Sequence, residues 1–544
     1  RLEEHGSAAT SHLEPLPVSE NTRYGQIANP MKTPFFPLAL ATVLLSAAAQ
    51  NANAQVSEIR VSPLLGDVKL RASSPQKLDE FSSQPVVLRA DKGEWENFQF
   101  VIENAGAAQI ESLEIAPTRL VSSRGASILG SQITIYRQNF VRVAKPSGNK
   151  IVARKWWPDA LLPLDLAPKT VEANGFAAFW GSIGVPVTAD SGDYFGEIDI
   201  ALRLKNPDGT RRTEKRRLAL GLQVENRLVP PPKIRACVAL YYDTLRDWYR
   251  KAKIEFSEAQ WTAQKRRFYE FLLDYRLNAY DLPVDWKSET ANRFLQDGRV
   301  LGVRVPPLDS PHFEAARAKL AATGTLGKAF YYWIDEPQTP ADFARVRETS
   351  RELRALGIKH LVTVHPTQSL ENDVDIWAPN IGDFFGIGHL SAQKLAQQRE
   401  KGRETWFYTM VEPKNPYPTW LLDDESRAIL DYAEVIARYN LGGFVYSMCH
   451  GWGENPLQNL ESFAGTNGDG TLLYPAELVG GSGPLPSIRL MLLRDALENA
   501  ERLSGKIEPL RASALLAGND LPTEEERWNS RRGAAIIDGD LNEW

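Results

Sequence analysis

Cysteine is nearly absent. Cys237 and Cys449 are the only two in 544 residues, so no disulfide framework holds this chain together. Both fall near opposite ends of neighbouring predicted strands, a placement that argues against a bridge. CxxC and mixed Cys/His spacings are missing, and the seven histidines contain no HExxH. A structural or catalytic zinc site is therefore unsupported, and no cofactor motif takes its place. Clustered positive charge is missing too. The net charge is −5 with no extended basic block. Phosphate neutralisation needs grouped Lys and Arg, which argues against nucleic acid as the main partner.

Long apolar runs are scarce. The one candidate lies in MKTPFFPLALATVLLSAAAQNANAQ, which starts at Met31. Lys32 supplies a positive end, Phe35 to Ala49 an apolar stretch, and Ala52-Asn53-Ala54 a small-x-small cleavage pattern. The stretch is short of the ~20 residues that span a bilayer. It reads as a secretory signal peptide over 31–54, preceded by a leader over 1–30. The expectation is an exported protein, periplasmic or extracellular, of bacterial type, with no membrane span after cleavage.

Aromatic residues are plentiful, with 14 Trp and 17 Tyr, and flat aromatic faces suit both sugar rings and large cores. The length predicts two or three domains. Over 55–229 short alternating runs recur: QPVVLRA (84–90), ENFQFVIE (96–103), SQITIYRQNFVRV (131–143), FAAFWGSIGVPV (176–187), YFGEIDIALRL (194–204) and RRLALGLQVEN (216–226). Turn clusters such as Asn206-Pro207-Asp208-Gly209 separate them, the pattern of a β-sandwich. Pro230-Pro231-Pro232 makes a stiff boundary.

Over 233–508 the pattern changes. Eight apolar runs (236–243, 279–285, 300–306, 330–337, 360–366, 383–389, 405–413 and 442–452) alternate with amphipathic stretches. Those stretches are 262–278, 339–357, 391–402, 424–440 and 487–505. Eight such units predict a (β/α)8 TIM-like barrel, distorted because the second and third units are short. A doubly wound sheet is the alternative, disfavoured because no Gly-rich phosphate turn follows the first strand. The tail, 509–544, is polar and ends in AAIIDGDLNEW. Its IDGxLxEW resembles the opening strand of a family of β-sandwich carbohydrate-binding modules, either as the start of a truncated module or by chance.

In (β/α)8 enzymes the active site sits at the carboxyl ends of the strands. That rule selects Asp335 and Glu336, in YYWIDEPQTP (331–340), after the fourth run. It also selects Asp243, Asp285, Trp286, His365, His389, Glu412, His450, Trp452 and Glu454. An acid-rich, aromatic rim suits glycoside hydrolysis, where carboxylates move protons and face an oxocarbenium-like charge. Asp335 could instead cap the next helix. Thr339-Pro340, however, already supplies a helix start. Neighbouring strand residues point to opposite faces, so both acids reach one substrate only if the strand twists or ends by Ile334, which Pro337 favours. Trp286, Tyr408, Trp420 and Trp452 could stack on sugar faces or pack the barrel top.

Two mechanisms fit these residues. In one, the substrate is a 2-acetamido sugar: Asp335 orients the acetamido group, whose oxygen attacks the anomeric carbon, and Glu336 is general acid/base. In the other, Glu336 is acid/base and Glu412 the nucleophile, about 5–5.5 Å apart. In either case the acid, Glu336, must hold its proton near neutral pH, which partial burial under Trp or Tyr, or the neighbouring Asp charge, favours.

Several motifs together carry a family resemblance: GEWENFQFVIEN (93–104), WWPDALLPL (156–164), VPVTADSGDYFGEI (185–198), YYWIDEP (331–337), VDIWAPN (374–380), GRETWFYTM (402–410), GDGTLLYP (468–475) and PLPSIRLMLLRDALENAERL (484–503). On these the chain resembles glycoside hydrolase family 123, also described as domain-of-unknown-function family 4091. The resemblance implies a β-sandwich followed by a (β/α)8 barrel and exo-acting β-N-acetylgalactosaminidase chemistry on a glycan. It assigns Asp335 as acetamido stabiliser and Glu336 as general acid/base. Two segments depart from the family pattern: RDALENAERL stands for a RDGLEDYEYL-like run, and YSMCHGWGENP for an aromatic-rich LYWxxxxW form. Expected substrate contacts are Trp286, Tyr408, Glu412 and Trp452, with no metal. A non-catalytic carbohydrate-binding surface protein on the same scaffold is the non-enzyme alternative.

Overall fold

The computed structural model describes residues 58–504, apart from 75–76, 79–85, 149–154, 386–391, 415–416 and 464. The expected leader, signal peptide and polar tail lie outside the described residues, as does His389. The structure divides into a sheet-rich N-terminal region and a C-terminal region built on one parallel sheet.

Alternating apolar residues build the first region. A seven-stranded sheet runs in the order Ile59–Leu65, Trp95–Asn104, Gly175–Gly184, Ile133–Arg142, Trp156–Pro163, Ala72–Ser74, Lys77–Leu78. A six-stranded sheet is organised on the hairpin of Gly192–Lys205 and Arg211–Leu228, paired from Gly192 with Val224 to Lys205 with Arg211. Its turn holds because the Asp208 carboxylate accepts from Thr210 N (2.9 Å) and Gly209 takes φ +85°. Ile198, Ile200, Leu202 and Leu204 alternate with polar residues and face Leu218, Leu220 and Leu222 and, from the other sheet, Phe98, Phe100 and Phe179, in one shared core. Phe100 stacks on Phe179 with ring centroids 4.9 Å apart.

Each of the six expected runs here overlaps a strand. Among the described residues of this region seven strands fall outside those runs, and the three longest are Ile59–Leu65, Gln109–Pro117 and Trp156–Pro163. All three contain proline, which ordinarily argues against a strand. Pro63 is tolerated because its strand lies at a sheet edge. Pro158 sits where the register shifts before Leu161, a bulge that spares it a ladder bond.

The second region carries eight parallel strands: β1 (Arg235–Val238), β2 (Asn278–Ala279), β3 (Val303–Arg304), β4 (Ala329–Tyr331), β5 (Lys359–Val362), β6 (Ile376–Trp377), β7 (Glu404–Tyr408) and β8 (Gly443–Tyr446). They pair in the order β2-β1-β8-β7-β6-β5-β4-β3. The sheet is curled. Phe330 on β4 and Trp406 on β7 meet at 5.5 Å between ring centroids, whereas three strand spacings in a flat sheet span about 14 Å. The edge strands β2 and β3 approach each other: Arg304 N donates to Tyr280 O (2.8 Å), and the Asn278 side-chain oxygen accepts from Leu301 N (2.6 Å) and Gly302 N (2.8 Å). Gly302 also lets this segment pack against β1, since a Cβ there would lie 2.7 Å from Cys237 Sγ.

The expected helices appear at Glu258–Asp274, Pro340–Ala355, Ala392–Glu400, the pair Arg427–Leu430 and Tyr432–Arg438, and Ile488–Leu503. One strand is corrected. The apolar run 383–389 was expected as the sixth strand, but β6 is Ile376–Trp377, and Ile381–Phe385 forms a 3-10 turn. A short apolar run does not by itself separate strand from turn packing. Cys237 and Cys449 are free and buried.

Candidate active site

β4 ends at Tyr331, so the chain has left the sheet before the two acids. Glu336 has φ +40°, the left-handed region, which costs a non-glycine residue about 1–3 kcal/mol. This kink breaks strand alternation, and Asp335 and Glu336 line the same cavity of about 660 Å³. Neither acid starts the following helix. Thr339 is its N-cap, accepting from Asp342 N (3.2 Å), with Pro340 at the first turn.

Hydroxyl groups fix both carboxylates. Tyr332 OH (2.8 Å) and Thr363 Oγ1 (2.6 Å) both donate to Asp335 Oδ1. Thr363, just past β5, also accepts from Glu336 N (2.8 Å), so one buried hydroxyl ties the backbone of one acid to the side chain of the other. Tyr408 OH, at the end of β7, donates to Glu336 Oε1. Burial, then the adjacent carboxylate, pushes both phenols well above the usual tyrosine range, so they remain protonated donors. Asp335 and Glu336 themselves are exposed. The expected aromatic cover over Glu336 is thus reduced to the Tyr408 hydrogen bond.

Glu412 reaches the same cavity from the loop after β7, along with Met410 and Val411. Its carboxylate pairs with Lys414 Nζ (3.1 Å), and its backbone oxygen accepts from Asn380 Nδ2 (3.2 Å). Two other expected contacts are not brought here. Trp286 is buried in the main core. Trp452 packs against Trp248, Tyr249 and Phe268, and its indole N–H donates to Leu473 O (2.7 Å). Both lie near strand ends, yet their apolar bulk turns into the packing between sheet and helices rather than the cavity. Trp420 is likewise buried, against Tyr432, Phe444 and Tyr446. Burial pushes the His450 imidazole down to about 4, so it stays neutral within the core. Asp285 holds a turn by accepting from Lys287 N (2.7 Å).

Residues 310–505 match the family model of the glycoside hydrolase 123 catalytic domain. The chain carries a family 123 glycoside hydrolase catalytic domain. It is a glycoside hydrolase. The matched stretch contains Asp335, Glu336, Tyr408 and Glu412. A family 123 glycoside hydrolase from Clostridium perfringens, whose structure was described in terms of glycolipid glycan hydrolysis, is similar in fold. Its TM-score is 0.61 at 16% identity, covering 82% of this chain and 88% of that one. The PapD-like domain 7 of human CEP192 covers 32% of this chain at 12% identity, and with a TM-score of 0.17 it supports no argument. No curated protein matches by sequence.

Three of the motifs that carry the family resemblance meet in one buried network. Arg489, from PLPSIRL, donates to both carboxylate oxygens of Asp159 (3.0 and 2.8 Å), from WWPDALLPL in the N-terminal region. Tyr474, from GDGTLLYP, donates to the same carboxylate. Arg489 also holds the backbone oxygens of Trp420 (2.9 Å) and Gly468 (2.6 Å). Gly468 has φ +78°, and a Cβ there would press on the guanidinium at 2.9 Å. Next in line, Asp469 accepts from Tyr446 OH (2.8 Å) and from Val411 N. The GDG turn therefore fixes the loop that brings Glu412 to the cavity. Asp469 and Thr363 were not among the expected site residues: Asp469 is an acid within GDGTLLYP but follows no predicted strand end, and Thr363 lies at a strand end but is neither an acid nor an aromatic.

Thr363→Val keeps the shape of the side chain but removes both hydrogen bonds. We expect kcat on oligosaccharides to fall about 10- to 100-fold, as for other groups that only orient a reacting residue. Thr363→Ser should restore most of it. Steady-state kinetics with folding checked by circular dichroism measures both.

Proposed function

We propose that the protein is an exported, exo-acting glycosidase that removes a terminal 2-acetamido-2-deoxy-sugar, β-N-acetylgalactosamine first among them, by a retaining, substrate-assisted route. The observation that carries this reading is the fixing of Asp335. Both of its described hydrogen bonds reach Oδ1, leaving Oδ2 for an incoming acetamido N–H. A carboxylate so oriented polarises the amide, and the amide oxygen attacks the anomeric carbon as Glu336 protonates the departing glycosidic oxygen. The bond to the leaving sugar breaks and an oxazolinium ring forms. Glu336, now ionised, takes a proton from water, which opens that ring with net retention.

The rival reading makes Glu412 the nucleophile. It lines the cavity, but its side chain is 61% exposed and paired with Lys414, a weaker setting than the doubly held Asp335. The scaffold is read as a β-sandwich over 55–229 followed by a distorted (β/α)8 barrel over 233–508. The curl of the parallel sheet and the Arg304–Tyr280 link between its edges support that reading. The signal-like 31–54 segment supports export. The similar Clostridium perfringens enzyme acts on glycolipid glycans, which makes such a glycan one candidate substrate.

The test is hydrolysis of nitrophenyl β-N-acetylgalactosaminide, its gluco epimer and plain hexosides. Only the 2-acetamido sugars should turn over, and Asp335→Asn should lower their kcat about 100-fold even with good leaving groups. Turnover of plain hexosides, or a sugar adduct trapped on Glu412, would sink the substrate-assisted route.

A further inference from the structure

The exposed indole of Trp333 is not used by the chemistry above. It is 42% exposed, two residues before Asp335, yet it is not loose. Its Nε1–H donates to Val305 O (2.8 Å) just past β3. The Arg304 guanidinium lies over the ring at 3.9 Å. Arg304 is itself locked: it is buried, forms two bonds to the Asp281 carboxylate (3.2 and 2.7 Å) and has Tyr280 5.1 Å from its Cζ. Tyr280, Arg304 and Trp333 thus form a stack that ends in solvent. One indole face is covered and one edge bound, so the exposed area is the opposite face and outer rim.

Placement gives that face a direction. The described lining of the cavity comes from the ends of β7 and β8 and from the segments after β4, β6, β7 and β8. Trp333 stands outside that lining and is bonded toward β3, the neighbour of β4. A bond broken at Asp335–Glu336 has one sugar in the cavity and the other leaving past the pair. We propose that Trp333, stiffened by Arg304, is the stacking platform for the leaving-group sugar, so that the enzyme prefers oligosaccharides to simple glycosides. A rigid aromatic face binds a pyranose ring's apolar side with little loss of side-chain freedom. This rests on the glycosidase reading of the acid pair, but not on the identity of the sugar in the cavity.

The test compares two substrates with the same terminal sugar: an oligosaccharide and the methyl glycoside, which offers nothing to stack. Trp333→Ala should lower kcat/KM for the oligosaccharide about tenfold, mainly through KM, and change that for the methyl glycoside less than about twofold. Trp333→Phe, which keeps a stacking face, should recover most of the loss. Equal losses on both substrates would make Trp333 a structural residue, and no loss on the oligosaccharide would remove the platform; either overturns the proposal. If the wild-type enzyme hydrolyses plain hexosides instead, the acetamido reading fails, and the same comparison with plain hexosides still decides the role of Trp333.

Discussion

Glu336→Gln should lower kcat/KM on an unactivated oligosaccharide about 10²- to 10⁴-fold, the range set by loss of a general acid. On a dinitrophenyl glycoside the first step should be nearly unaffected, because that leaving group departs without a proton. The contrast follows from the proposed role. Gln fills the same volume, and its amide oxygen still accepts from Tyr408 OH, the donor that holds Glu336 Oε1. The loop after β4 stays held by Glu336 N on Thr363 Oγ1 (2.8 Å), a backbone bond that the substitution leaves intact. The measured quantity is the dependence of kcat/KM on leaving-group acidity, which should be steep in the variant and shallow in the wild type. A uniform loss across leaving groups would instead make Glu336 a binding or structural residue.

Much of this organisation is legible in the chain because the relevant signals are local. The hairpin 192–228 follows from residues alternating about a Pro-Asp-Gly turn, and the helix at Pro340 from a Thr-Pro start with Asp342 closing the capping box. The acid pair is legible for the same reason, being two adjacent residues at a strand end. What escaped depends on partners distant in sequence. Trp286 and Trp452 read as rim aromatics from position alone, and only the packing of helices on the sheet turns them inward. Thr363 matters because it lies beside residues 28 and 27 positions earlier, a proximity that no window on the sequence contains. The run 383–389 failed for a related reason: an apolar stretch states that it is buried, not in which conformation.

Replacing Arg489 by Met should destabilise the protein by about 3–5 kcal/mol, the cost of breaking a buried ion pair by removing one partner. Arg489 and Asp159 have fully buried side chains and lie 330 positions apart. Asp159 would be left with the Tyr474 hydroxyl as its remaining described donor, the backbone oxygen of Trp420 would lose its donor, and that of Gly468 would keep only Thr471 N (3.1 Å). Because Asp159 belongs to the N-terminal region and Arg489 to the last helix of the catalytic region, the loss should appear as earlier, less cooperative unfolding in urea, read together by tryptophan fluorescence and activity. Activity should fall before the bulk fluorescence change, since Gly468, deprived of its guanidinium contact, adjoins Asp469, which holds the loop carrying Glu412. The double variant Arg489→Met with Asp159→Leu should regain part of the stability, because an apolar pair avoids the stranded charge. It should regain less activity, since Met offers nothing to the Gly468 oxygen. If Arg489→Met unfolds at the wild-type urea midpoint, the network is not what joins the two regions.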